Sequence, residues 1–241
     1  MPEKTKIEWC DATWNPITGC TPVSIGCKNC YAKEIARRFW GDRKFSDILF
    51  HEDRLSIPTK WKKPRKIFVC SMSDLFHKDV PYEWIDKINE AQVDTPQHDY
   101  MWLTKRPNRA QKYIRSRFAW KPFVWLGVSV STQAEADEKI PILLDTPAAV
   151  RFVSIEPMLE GIDLKNYFHC GISWCIFGCE SGVNARPMKE EWLRKGILQC
   201  KENNIPVFYK QKMTNKKLIK MPFLDGEKYA EFPEILSLKE K

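Results

Sequence analysis

At 241 residues, with 43% hydrophobic and 29% charged side chains, the chain has a globular composition and enough length for a substantial core. No apolar run approaches the roughly 20 residues that span a bilayer, and the N-terminus lacks the apolar stretch of a secretory signal, so a cytoplasmic protein without a membrane segment is expected. The net charge of +8 suits a polyanionic partner without demanding one, and nine cysteines, an odd number, argue for metal rather than a complete disulfide framework.

The first β-rich segment, Ala12 to Thr18, is weak and runs into a cysteine loop. Five stronger ones follow at Lys66 to Ser71, Tyr100 to Thr104, Val124 to Val130, Val150 to Ile155 and Ser173 to Gly178, and a last at Pro206 to Lys210. Several are continuously apolar, as strands buried on both faces should be. Helical stretches separate them at Tyr31 to Trp40, Tyr82 to Gln92, Asn108 to Ser116, Thr132 to Leu144 and Lys189 to Asn203. Ser131 or Thr132 caps the fourth helix, and Glu190 with Glu191 favours the start of the fifth. Such alternation predicts a parallel sheet with right-handed crossovers. The expected fold class is α/β, a partial (β/α)6 TIM-like barrel, with an open doubly wound sheet as the alternative. One domain is expected, with a core over about 7–213, an insertion over 41–64 and a peripheral Lys-rich tail over 214–241.

Cys20, Cys27 and Cys30 place three soft ligands on one short loop. Three thiolates suit an iron–sulfur cluster with one open iron, whereas a structural zinc would require a fourth donor, for which Cys10 is the candidate. Polar clusters stand at the ends of the predicted strands, where β/α barrels carry their chemistry. They are Ser71-Met72-Ser73-Asp74, Thr104-Lys105-Arg106, Ser129-Val130-Ser131, Glu156-Pro157, Cys179-Glu180 with Arg186, and Lys210-Gln211. Any one of these also reads as a turn or cap. Six on one rim together read as a site.

These residues carry a family resemblance. The chain resembles the radical S-adenosylmethionine superfamily, and within it a phage- and prophage-associated family related in chemistry to spore photoproduct lyase. The matching pieces run in order from Trp14-Asn-Pro-Ile-Thr-Gly-Cys20 and Gly26-Cys-Lys-Asn-Cys-Tyr-Ala32 through Ser71-Met-Ser-Asp-Leu-Phe76 and Leu103-Thr-Lys-Arg-Pro107. They continue through Leu126-Gly-Val-Ser-Val130, Ser154-Ile-Glu-Pro-Met158, Gly178-Cys-Glu-Ser-Gly182, Ala185-Arg-Pro-Met188 and Phe208-Tyr-Lys-Gln211. Six residues separate Cys20 from Cys27, a longer gap than the superfamily's usual one, and Cys179 stands where the family pattern has glycine.

The resemblance implies that Cys20, Cys27 and Cys30 bind a [4Fe–4S] cluster whose open iron takes S-adenosylmethionine. The pair would generate a 5′-deoxyadenosyl radical that abstracts hydrogen from a nucleotide or nucleobase, in phage DNA hypermodification or rearrangement. It also implies an electron donor such as flavodoxin or ferredoxin. By position, Ser73 and Asp74 would hold the methionyl amino group, Ser129 and Ser131 the ribose or carboxylate, and Glu156 or Glu180 the ribose hydroxyls. Tyr31 would pack on the adenine, and Lys105, Arg106, Arg186 and Lys210 would face a carboxylate or phosphate. The alternatives are a photoproduct-lyase-like DNA repair enzyme and a zinc-bound nucleic-acid-binding module.

Three basic runs bear on a nucleic-acid partner: Lys60 to Lys66, Lys105 to Trp120 with six cations, and Lys212 to Lys220. Each reads either as a phosphate-binding surface with nearby aromatics or as a solvated face. Cys170, Cys175 and Cys179 are a second cysteine group, but Cys175 falls inside an apolar strand, so buried structural cysteines are the plainer reading. The four histidines show no metal-ligand spacing.

Overall fold

The computed structural model describes residues 5–119 and 121–234. Its elements are β1 (Ala12–Trp14), β2 (Ile17–Thr18), α1 (Tyr31–Phe39), β3 (Leu49–Phe50), β4 (Lys66–Val69), α2 (Tyr82–Val93), β5 (Asp99–Thr104) and α3 (Pro107–Arg117). They continue with β6 (Val124–Val130), α4 (Gln133–Leu144), β7 (Arg151–Ile155), α5 (Lys165–Phe168), β8 (Trp174–Gly178), α6 (Glu190–Glu202), β9 (Val207–Thr214) and β10 (Lys217–Lys220). Seven parallel strands lie in the order β1-β4-β5-β6-β7-β8-β9, and β10 folds back antiparallel on β9. Strand order follows chain order without reversal. This rules out the doubly wound alternative, which needs a switch point.

The sheet is curled. Trp9 lies 4.7 Å from Phe68 on β4, 6.5 Å from Phe152 on β7 and 6.3 Å from Trp174 on β8. On a flat sheet β4 and β8, four strands apart, would be separated by about 19 Å. The result is a half-barrel consistent with a partial TIM-like barrel, with seven parallel strands rather than six and only a four-residue helix in the fifth crossover.

Residue parity explains both faces. Outward positions such as Ile67, Trp102, Leu126, Val153, Phe177 and Tyr209 pack into the larger core beneath the helices. Inward positions at the strand starts, Phe68, Met101, Trp125, Phe152, Trp174 and Phe208, form an aromatic floor with Trp9. Farther along the same inward rows the residues become Gly127, Ser129, Ser154, Gly178 and Lys210. The interior is dry at one end and polar at the other.

Two regions differ from expectation. The 41–64 insertion is tied into the barrel: β3 pairs with β2, and Phe50 stacks on Trp84 at 5.1 Å. The tail is not peripheral as far as it is described. Phe232 lies 5.2 Å from Trp174 and 5.6 Å from Phe208, and the Trp174 indole N–H donates to the Glu231 carbonyl at 2.9 Å. Residues 235–241 and Trp120 lie outside the described residues. No described helix is long and apolar enough to cross a membrane.

Candidate functional site

The cysteine loop crosses the polar end of the half-barrel. Gly19 begins it with φ +100°, and a Cβ there would run into the Asp47 carbonyl of the insertion, so both conformation and space require glycine. The Gly19 N–H donates to the Met72 carbonyl at 3.0 Å, and the Cys20 N–H to the Phe45 carbonyl at 2.8 Å. Cys27 ends a short 3-10 turn, and Cys30 is the N-cap residue of α1. There, unpaired N–H groups favour a negative ligand. All three thiols are half-buried and free of disulfides. They line one pocket of about 430 Å³, whose rim carries Lys33, Arg37, Arg43 and Lys44.

Surrounding charge treats the thiols differently. Burial and the Asp74 carboxylate push Cys20 up to about 11 against the opposing Arg106. Burial also raises Cys27, but hydrogen bonds from the backbone at Val23 and Ser24, together with the Lys105 charge, outweigh it and leave that thiol below its ordinary value.

The strand-end residues form three groups around this loop. In the first, the Asp74 carboxylate accepts from Thr104 Oγ1 (2.7 Å), Phe76 N–H (3.0 Å), Lys105 N–H (3.1 Å) and Arg106 Nη1 (2.9 Å). Arg106 also donates to the Thr21 carbonyl at 2.8 Å and approaches Cys20 Sγ at 3.8 Å. The left-handed Cys70 (φ +62°) turns the chain sharply enough to deliver this segment. Ser73 Oγ donates to the Gly19 carbonyl at 2.6 Å, so Ser73 anchors the loop.

The second group lies on the inward rows. Lys105 Nζ donates to Ser129 Oγ, which donates to the Glu156 carbonyl at 3.1 Å. Lys210 Nζ sits 3.0 Å from Glu156 Oε1, and Ser154 Oγ 3.2 Å from Oε2. Burial, with Lys139 adding to it, holds Lys105 below an ordinary lysine, and the Cys27 charge opposes the shift.

In the third group, Glu180 accepts two bonds from the Arg186 side chain (2.5 and 3.0 Å) and one from Asn29 Nδ2 (2.7 Å). Burial raises this carboxyl, but the hydrogen bonds prevail and hold it below its usual range. Tyr31 places its hydroxyl on the Ser71 carbonyl at 2.7 Å, and the residue as a whole is 40% exposed.

Lys105, Ser129, Glu156 and Lys210 are thus contiguous, and Asp74, Arg106 and Cys20 are contiguous. Glu180 and Arg186 pair with each other at the loop's far end. Ser131 stands apart: its buried hydroxyl has no partner among the described residues and abuts Gly26, where a Cβ would collide with it. Asn15 and Asn29 carry no role in the sequence reading, and His77 reads there only as a histidine without metal-ligand spacing. Asn15 Oδ1 accepts from the Met72 N–H at 2.9 Å, and His77 Nε2 meets Thr21 Oγ1 at 2.7 Å. Asn15 and Asn29 lie within quoted motifs and His77 directly follows one, and that placement is the signal that could have found them.

The cysteines outside the loop do not join it. Cys10 bonds the Ile7 carbonyl at 3.6 Å and packs in the floor, not in the pocket that the three loop thiols line. Cys170 is exposed, and Cys175 lies on the outward row and pairs with Cys200. Among the described residues no three His, Cys, Asp or Glu side chains converge on a single ion.

Several cations of the basic runs have partners. Arg109 donates to the His77 and Val80 carbonyls at 2.5 Å each, Arg115 pairs with Asp145 at 2.7 Å, and Arg117 reaches Asp86 at 2.9 Å. Lys212 pairs with Glu190 at 3.2 Å, and Lys220 with Glu8. Lys62 and Lys63 remain exposed.

Residues 4–233 match the family described as protein of unknown function (DUF5131). The chain belongs to the DUF5131 family. No curated protein matches this DUF5131 chain. Among solved structures, its fold is similar to a cysteine-to-serine variant of spore photoproduct lyase, at TM-score 0.53 and 10% identity over 84% of this chain and 77% of that one. A tyrosine-to-phenylalanine variant of the same protein gives TM-score 0.54 and 10% identity over 80% and 74%. At that identity the likeness concerns the fold.

Proposed function

We propose that this DUF5131 chain is a single-domain radical S-adenosylmethionine enzyme acting on a nucleotide or nucleobase. The observation that carries the reading is the lining of one pocket by three free, half-buried thiols at the polar mouth of a parallel half-barrel. The donor set fits a [4Fe–4S] cluster: the ligands are all soft and they number three, whereas a structural zinc takes four. Cys20, Cys27 and Cys30 would hold it. With S-adenosylmethionine it supplies a 5′-deoxyadenosyl radical able to take hydrogen from an unactivated carbon, chemistry that side chains do not provide.

The chain's own residues position and enclose. Asp74 fixes Arg106 beside Cys20, and Glu180 with Arg186 pins the far side of the loop through Asn29. Lys105, Lys210, Ser129 and Glu156 present donors and acceptors on the inward rows, and the aromatic floor keeps water from that end. A one-electron donor such as flavodoxin or ferredoxin, a cytoplasmic setting and a role in phage DNA hypermodification complete the reading. A photoproduct-lyase-like repair activity on DNA is the second reading, favoured by the fold likeness.

Anaerobic reconstitution with iron and sulfide tests the proposal. Brown protein that releases 5′-deoxyadenosine from S-adenosylmethionine on reduction is expected, with the cluster lost in Cys27→Ala. Colourless protein holding stoichiometric zinc after that treatment would overturn it. Mass spectrometry of nucleosides from cells with and without the gene then separates hypermodification from repair.

A further inference from the structure

Beside the cysteine pocket lies a second cavity of about 380 Å³, within the range of small-ligand sites. It is walled by Ile35, Trp40 and Met72 and faced by Arg43 and Arg54. The two guanidiniums differ from most others in the molecule. Arg37, Arg106, Arg115, Arg117, Arg186 and Arg194 each pair with a carboxylate. Arg43 and Arg54 have no ion pair among the described residues, and their only hydrogen-bond partners there are a hydroxyl and backbone carbonyls.

Arg43 gives Nη2 to the Thr18 hydroxyl (2.9 Å) and to the Thr18 and Asp47 carbonyls (3.1 and 2.6 Å), while its Nε is buried with no acceptor. The Asp47 carboxylate is turned away, accepting instead from the Lys44 N–H at 3.1 Å. Arg54 makes one side-chain bond, from Nη1 to the Asn15 carbonyl at 3.0 Å. Its backbone is fixed by the Trp14 indole N–H, which donates to the Arg54 carbonyl at 2.8 Å.

Burial depresses Arg43, Asp47 opposes the depression, and Arg54 adds to it. Burial, Arg54 and Arg43 together hold His51 below its ordinary value. Guanidinium forks match the oxygens of a phosphate. Arg43 also lies over the Trp40 ring at 4.1 Å, which joins the charged wall to the apolar one.

We propose that this cavity binds the phosphate group of a nucleotide, held by Arg43 and Arg54, with Trp40, Ile35 and Met72 against the organic part. The site does not depend on the cluster or on radical chemistry. Whether the phosphate belongs to a free mononucleotide or to a nucleic-acid strand, the chemistry of capture is the same.

The test is isothermal titration of the full chain with inorganic phosphate, deoxythymidine monophosphate, thymidine and a short oligothymidylate. Saturable binding of the monophosphate, with none by thymidine, is expected, and Arg54→Gln should weaken it about tenfold or more. Binding of the oligonucleotide without the monophosphate also supports the site and assigns the phosphate to a strand. Absence of binding by every phosphate-bearing probe overturns the proposal, as does an Arg54→Gln affinity within about twofold of the parent. Should Arg54→Gln not fold, Ile35→Glu decides. That side chain is 40% exposed, and a carboxylate there should repel the ligand, so unchanged affinity overturns the site.

Discussion

Asp74→Asn tests whether this buried carboxylate is a scaffold element rather than a ligand contact. Both oxygens are occupied: Oδ1 receives Thr104 Oγ1 and the Phe76 N–H, and Oδ2 receives the Lys105 N–H and Arg106 Nη1. The amide keeps the first role but sets an NH₂ group against two donors. One of them belongs to a guanidinium whose side chain is only 11% exposed. Removing one partner of a buried pair costs about 3–5 kcal/mol. Each kcal/mol shifts the Tm of a domain this size by about 2–4 °C. The variant should therefore melt about 6–20 °C below the parent, by circular dichroism under reducing conditions. Arg106→Met in the same chain should recover part of the loss, because it removes the orphaned charge. A single variant melting within about 2 °C of the parent, or a strictly additive pair, would refute the reasoning.

Two further outcomes follow from the loop's anchors. Gly26→Ala should cost about 1–3 kcal/mol by overpacking; adding Ser131→Ala, which removes only a buried hydroxyl without a partner, should restore urea stability, and additive losses would contradict the contact. Glu180 has a depressed folded value, so its contribution is fully present above the unfolded glutamate value of about 4.3 and disappears as pH falls through the lower folded value. Glu180→Gln should therefore flatten the acid limb of a Tm-against-pH profile below about pH 4, and an unchanged limb would count against the Arg186 pairing.

The strands were legible because both their faces are buried, which writes continuous apolar runs such as Val124 to Val130 into the sequence. That same property hides which face is inward. Only the change along one parity, Trp125 to Gly127 to Ser129, marks the interior row. Pro16 splits the first predicted strand, and α5, at four residues, is too short to have a period. The counter-charges of the basic run on α3, Glu83, Asp86 and Asp145, come from neighbouring elements and so are not legible in the run itself. For the candidate site, the residue types and their rim were readable. Their partners were not, since Asp74 with Arg106, Glu156 with Lys210 and Gly26 with Ser131 are tertiary pairs. Arg43 and Arg54 sit in an insertion whose sequence carries no periodic signal.

The six-residue gap between Cys20 and Cys27 has a physical reason in these anchors. Thr21 is held by Arg106 at the end of β5 and by His77. Gly26 rests on Ser131 beyond β6, and the Ile25 carbonyl accepts from Arg186, which is paired with Glu180 beyond β8. The loop therefore reaches from the end of β5 to the end of β8 between its first and second cysteines. The insertion follows from the same span: Phe45 bonds the Cys20 backbone and Asp47 closes over Gly19, supporting a loop that a shorter connection would not need.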